Sequence, residues 1–301
     1  MSAVGGALER LRRGGPPGPP GQVTLHRGAL ANRRRRTLAQ IGAALAVLVV
    51  IVVAGTALVP VAELTDLTAR RLPPSLAHPF GTDWLGRDML ARTLVGLRLS
   101  LFVGTLAASV SAVVALLLGA AAGALGRRAD AAVSWLVDLF LALPHLVLLI
   151  LLAFVLGGGA RGVIIGVAVT HWPSLTRVLR GEARRVAASD YVAAAHRLGR
   201  GGWWVARRHL VRHLLPQFTV GLVLLFPHAI LHEAGLSFLG FGLPPHAPAI
   251  GNILADAMRY LSGGAWWLAV FPGVVLLVAV LAVNVVGENL RALLDPRSVH
   301  E

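Results

Sequence analysis

The sequence predicts an all-α integral membrane protein with six transmembrane helices, and three observations lead there. Of 301 residues, 56% are hydrophobic and only 14% are charged, with a mean hydropathy of +0.71, whereas soluble domains carry roughly 25% charged residues. Charge-free intervals recur along the chain, and a span needs about 20 residues without a costly charge. Arginine, in a chain that has no lysine, is dense in alternate connecting segments, as expected when positive charge gathers on the cytoplasmic side.

Residues 1–36 contain GGPPGPPG and then RRRR. Such a segment lacks the apolar surface to fold alone and is expected to be a disordered basic cytoplasmic head. The apolar stretch behind it runs past 20 residues, longer than the 7–15 of a cleaved signal, which points to an uncleaved anchor. Residues 37–297 are then expected to form a single membrane domain, with 298–301 as a tail.

No charge lies between Arg36 and Glu63, Arg98 and Arg127, Asp138 and Arg161, Arg212 and Glu233, or Arg259 and Glu288. These intervals predict five spans. A sixth, starting at Gly162, is short and reaches Leu179 only if Arg177 snorkels to the headgroups. The expected spans are about 38–60, 98–126, 132–157, 162–179, 217–238 and 267–288. With the amino terminus inside, the inner segments hold 21 of the 28 arginines. Both termini are therefore expected in the cytoplasm.

Two long outer segments follow from this topology. Residues 61–97 carry a Gly-punctuated turn with Asp83, Arg87 and Asp88, leading into an amphipathic helix. Residues 239–266 combine Pro-Pro and Gly-Gly breaks with a short helix and run up to the Trp266–Trp267 pair, of the kind found at membrane interfaces. On the inner side, residues 180–216 form a basic loop with a central Gly199. Pro144, Pro173, Pro227 and Pro272 lie in or at the ends of spans, where each removes a backbone donor and can kink the helix.

Several classes are disfavoured. Zero cysteines exclude disulfides, iron-sulfur clusters and thiol catalysis. The basic balance follows topology and lacks the aromatic-basic patterns of nucleic-acid binding. No GK[ST] phosphate loop is present, so ATP would have to be hydrolysed elsewhere. His228 and His232, beside Glu233, and His209 and His213 stand four apart on single helix faces, but spacing supplies no third ligand and HAILHE lacks the H-E-x-x-H order. No metal site and no catalytic residue is assigned.

The runs HPFGTDWLGRDMLARTLVGLRLSLFVG, VDLFLALPHLVLLILLAFVLGGG, HWPSLTRVLRGEARRVAASDYVAAAHRLG, LHEAGLSFLGFGLPP and NVVGENLRALLDPR resemble the C-type permease of the dipeptide, oligopeptide and nickel ABC importers. The likeness spans about residues 35–297 with the motifs in the family's order. It implies a type I importer permease fold with a cytoplasmic coupling helix, in the inner membrane of a prokaryote. It implies four partners: a related B-type permease, two ATPase subunits and an extracytoplasmic solute-binding protein. The chain itself would need no cofactor, with ATP and magnesium bound by the ATPases.

Residue by residue, the resemblance implies ATPase coupling at Asp190, Tyr191, Ala194, Ala195, Leu198 and Gly199. Ala193 stands where the family commonly has glutamate. It implies a binding-protein-facing role for Asp83, Arg87 and Asp88. Glu233 and Asn284 are expected either on the translocation path or in polar contacts between helices, because a carboxylate or amide in a span must be paired, neutral or wet. Residues 190–204 also fit an interfacial amphipathic helix with Trp203 and Trp204 among headgroups. The function expected is the permease half of a path for peptides or a related small solute. The alternatives are a stand-alone channel or secondary transporter, which would carry more ionisable residues at depth, and a membrane hydrolase, for which no constellation can be assembled.

Overall fold

The computed structural model describes residues 27–294. The chain divides into one unit ending at Leu38 and a second that begins at Ala39. In the first unit the described residues are helical from Arg27 onward. The expected disordered head is therefore corrected for residues 27–36, while residues 1–26 lie outside the described ones, as do 295–301. The physical reason is propagation: Leu, Ala and Arg are good helix formers, and extending a helix outward from an apolar span avoids a new nucleus.

Among the described residues the fold is helical. Helix α1 covers Arg27–Ala57 and α2 covers Val59–Glu63. Helix α3, Met89–Ala124, leads by a short turn into α4, Arg127–Ala142, and α5, His145–Val155. Helix α6 is Gly159–Ala187, α7 Asp190–Arg197 and α8 Gly202–Val205. A π-helical turn, Ala206–Leu210, runs straight into α9, Val211–Phe238. Helices α10, Ile250–Met258, and α11, Trp267–Leu294, complete the order.

Five of these segments are long and apolar enough to cross a membrane, and the α4–α5 pair taken together makes a sixth. That pair covers the expected span of 132–157 but is not straight: its two halves bend by 92°. Pro144 explains the break. Its ring disfavours helical backbone at the preceding residue, and Leu143 is accordingly extended at φ −82°, ψ 141°. The charge-free windows also misplace helix ends. Helix α6 continues eight residues past Leu179, and α9 begins six residues before 217. Charge sets where a helix leaves the hydrocarbon, whereas backbone hydrogen bonding sets where it stops, so arginine-rich turns simply carry the helix into water.

Helix α3 is the axis of the bundle, packing chiefly against α6 and α9. Its buried face is a stripe of small residues, Gly104, Ala108, Ser111, Ala112, Ala115 and Gly119. In a bilayer, apolar side chains gain little by leaving lipid, so association depends on close shape fit. The fit is tight at the inner end: a Cβ added at Gly119 would lie 2.8 Å from Leu179 Cβ, and one at Gly123 would lie 2.7 Å from Ala183 Cβ. Larger residues, among them Val53, Phe102, Leu117, Trp135 and Phe154, are exposed; on a membrane protein this is the lipid-facing surface.

Helix α4 is tied to the C-terminal half of α6 by ion pairs. Arg180 donates to Asp130 through Nε (2.5 Å) and Nη2 (2.9 Å), and Arg177 Nη2 donates to Asp138 Oδ1 (2.8 Å). Gly123→Val should wedge α3 from α6 at a contact with no room to relax and destabilise the bundle by about 1–3 kcal/mol. Thermal unfolding in detergent measures this, with Gly126→Val as the matched control where a new Cβ meets nothing within 4 Å, although its φ of +84° adds a local strain.

Candidate functional site

The connection from α6 to α9 is built on a small apolar base. Val192 and Ala195 of α7 are buried together with Val186, Val205, Ala206 and Leu210. Asp190 in the first turn and His196 and Arg197 in the last complement the helix dipole. The C-terminus closes as a Schellman motif: Gly199 N–H donates to His196 O (3.0 Å) and Arg200 N–H to Ala195 O (3.1 Å). Gly199 has φ +77°, a left-handed conformation that costs other residues roughly 1–2 kcal/mol.

The expected coupling residues separate into two groups. Ala195 is turned into the chain's own base, and the Tyr191 ring lies against His209 and His213, with centroids 5.3 and 5.9 Å away. Asp190, Ala194, Leu198 and Gly199 are exposed. Leu198 is 81% exposed, an apolar tip left open by the described residues. Beside it, Trp203 is also exposed, while Trp204 carries the Arg200 guanidinium 5.0 Å above its ring.

On the opposite side, Asp83, Arg87 and Asp88 are drawn into the fold. Asp83 is 4% exposed. Its Oδ1 accepts from the N–H groups of Leu85 (2.8 Å) and Arg87 (2.9 Å), and Oδ2 accepts from Arg87 Nε (2.7 Å) and Arg92 Nη1 (2.9 Å). Its carboxylate is thus occupied by its own chain and holds the Gly-punctuated turn on the start of α3. Asp88 caps that helix, accepting from Ala91 N–H (2.8 Å), and its other oxygen meets His78 Nδ1 (2.9 Å). Nearby, burial pushes the Asp256 carboxyl above its ordinary value, against the opposing pull of Arg259, and Thr68 holds Asp66 below its own.

Glu233 is fully buried, at 0% exposure. Ser237 Oγ donates to its Oε1 (2.8 Å) and in turn accepts from Leu243 N–H (3.0 Å). Asn252 Nδ2 then donates to the carbonyls of Pro244 (2.7 Å) and Ala247 (3.1 Å). The carboxylate therefore anchors the Pro-Pro turn to α9. Asn284 is half-buried on α11, and no described residue hydrogen-bonds its side chain.

Histidine geometry was missed by sequence reasoning. His145, His171 and His232 converge, and their candidate ligand nitrogens all lie within 4.8 Å of one another. Spacing joined His232 to His228, which is not in this group. The available signal was each histidine's isolation within an apolar stretch, since polar groups at that depth invite a functional reading.

Glu233→Gln keeps an acceptor for Ser237 and should unfold within about 1 kcal/mol of the parent, whereas Glu233→Leu should cost about 1–3 kcal/mol by orphaning the hydroxyl; thermal unfolding in detergent separates them. Gly199→Ala should loosen the end of α7 without disturbing the bundle. Hydrogen exchange is expected to speed up roughly five- to thirtyfold at amides 190–200 alone.

Residues 115–300 match the family model described as "Binding-protein-dependent transport system inner membrane component". The chain is 37% identical over 233 residues to the protein named "Probable D,D-dipeptide transport system permease protein DdpC" of Escherichia coli (strain K12), covering 77% of this chain and 78% of that relative. It is 34% identical over 232 residues to the dipeptide transport system permease protein of Bacillus subtilis (strain 168), covering 77% and 72%. With a family match over more than half its length and relatives aligned along most of theirs, this multi-pass membrane chain belongs to the inner-membrane permease components of binding-protein-dependent transport systems.

Proposed function

We propose that the chain is the permease subunit of an ATP-driven importer and forms half of the translocation path for di- or oligopeptides, without catalysis of its own. The peptide class rests on the names of its relatives. The observation that carries the coupling mechanism is the exposed tip of α7 on a buried base. Val192 and Ala195 anchor the helix while Ala194, Leu198 and Gly199 are presented to a partner. An ATPase groove that receives this tip moves α7 and, through the continuous π turn, α9 as one lever. Closure of two ATP- and magnesium-bearing subunits would thereby switch the path between inward- and outward-facing states. In this reading a B-type permease supplies the other half, both termini lie in the cytoplasm, and a solute-binding protein docks on residues 61–88 and 239–266. Ala193 removes a carboxylate from the contact, leaving shape and the Leu198 side chain to carry it.

The absence of cysteine makes the test clean. A single Leu198→Cys thiol is expected to cross-link to a co-expressed ATPase subunit, with a yield that changes on ATP binding. Ala195→Cys should not cross-link, since that position is buried. Equal cross-linking at both positions, or none at Leu198→Cys in an assembled complex, would remove α7 as the lever.

A further inference from the structure

We infer that His145, His171 and His232 form a binding site for a first-row divalent transition ion of the zinc class. The three residues come from three elements. His145 opens α5 immediately after the Pro144 break, His171 lies on α6, and His232 lies on α9. Their ring centroids are 4.6 Å apart for His145 and His171 and 4.9 Å for each of the other two pairs. The interplanar angles, 80°, 52° and 69°, exclude a simple stack and leave the rings edge-on around a common centre.

His171 supplies the second, independent observation. Its Nδ1 lies 3.0 Å from Val167 O. Thr170 Oγ1 also lies 3.0 Å from Nδ1, but its single proton is given to Gly166 O (2.9 Å); with both neighbours then offering lone pairs, Nδ1 carries the hydrogen and Nε2 the lone pair. That Nε2 is buried and has no hydrogen-bond partner among the described residues. A bare buried acceptor costs about 1–3 kcal/mol unless something meets it. An outer nitrogen held by a backbone carbonyl, with the inner one presented, is the arrangement that orients metal-ligating imidazoles.

Ligand chemistry narrows the ion. Three neutral imidazoles suit zinc, nickel, copper or cobalt, whereas calcium and magnesium require oxygen. Zinc–nitrogen bonds of about 2.1 Å place tetrahedral ligands roughly 3.4 Å apart. The nitrogens lie within 4.8 Å of one another, so binding requires the rings to close by up to about 1.4 Å. Three ligands leave a fourth position open, and His145 and His232 are only half-buried, so an ion can enter on their side. Bound there, it would tie α5 to α6 and α9 and hold the bend at Pro144. The inference stands on these contacts and is independent of what the permease carries.

The test uses the full-length chain, co-purified with its partners on a tag free of histidine and stripped with chelator. Zinc alone, titrated in competition with a chromophoric chelator, should bind at one equivalent per chain with submicromolar affinity. His171→Gln and His145→Gln should each weaken this at least tenfold, and His246→Gln, at an exposed position outside the cluster, should leave it unchanged. Loading the parent chain with copper(II) needs no variant, and its electron paramagnetic resonance spectrum should show nitrogen splitting from three imidazoles. No bound equivalent, an affinity indifferent to His171→Gln in a folded chain, or a copper spectrum with fewer than three nitrogens would overturn the site.

Discussion

A helix in hydrocarbon gains almost nothing by burying leucine, since lipid is as apolar as the protein interior, and the arrangement therefore depends on how closely backbones approach. Here that constraint is met by the small-residue face of α3. Gly104, Ala108, Ala112, Ala115 and Gly119 let α6 and α9 close onto it, and everything of functional interest hangs from the ends of those three helices. The Asp83–Arg92 contact sits at the N-terminal end of α3. The C-terminal end receives α8, where Gly202 meets the backbone of Ala124 so closely that a Cβ would lie 2.4 Å from its carbonyl oxygen.

Polar groups inside the fold act as rivets. Asp83 joins a loop to two arginines, and Glu233 passes through Ser237 to the backbone of the Pro-Pro turn. Asp83, costly alone, is matched by donors on both oxygens, whereas Glu233 meets Ser237 through Oε1 and its Oε2 has no hydrogen-bond partner among the described residues. Both carboxylates lie toward the end of the bundle where α3 begins, which is thereby a preformed shape, while the opposite end presents the exposed apolar tip of α7.

Much of this was legible in the residues. Apolar runs bounded by arginine marked the membrane segments, the turn before α3, with Gly-x-Asp twice, was visible as a turn, and Gly199 was readable as a helix stop from its place after Ala194 and Leu198. Other features were not. Ala195 and Leu198 are both small or apolar residues of one short motif, and only packing against Val205 and Leu210 turns the first inward. Asp83 read as an exposed charge because the arginines that bury it lie four and nine positions away on a turn whose path periodicity does not describe.

Composition and charge by themselves determined that the chain lives in a bilayer, roughly where it crosses, and which segments share a side, because each follows from transfer energies that depend on local sequence alone. Tertiary structure decided the right-angled break after Leu143, the continuation of helix α6 past Leu179 and the start of α9 before residue 217, which residues of α7 are buried or exposed, and the meeting of three histidines separated by 26 and 61 positions. Those depend on where distant helices come to rest against α3, and contact across space carries no periodicity along the chain.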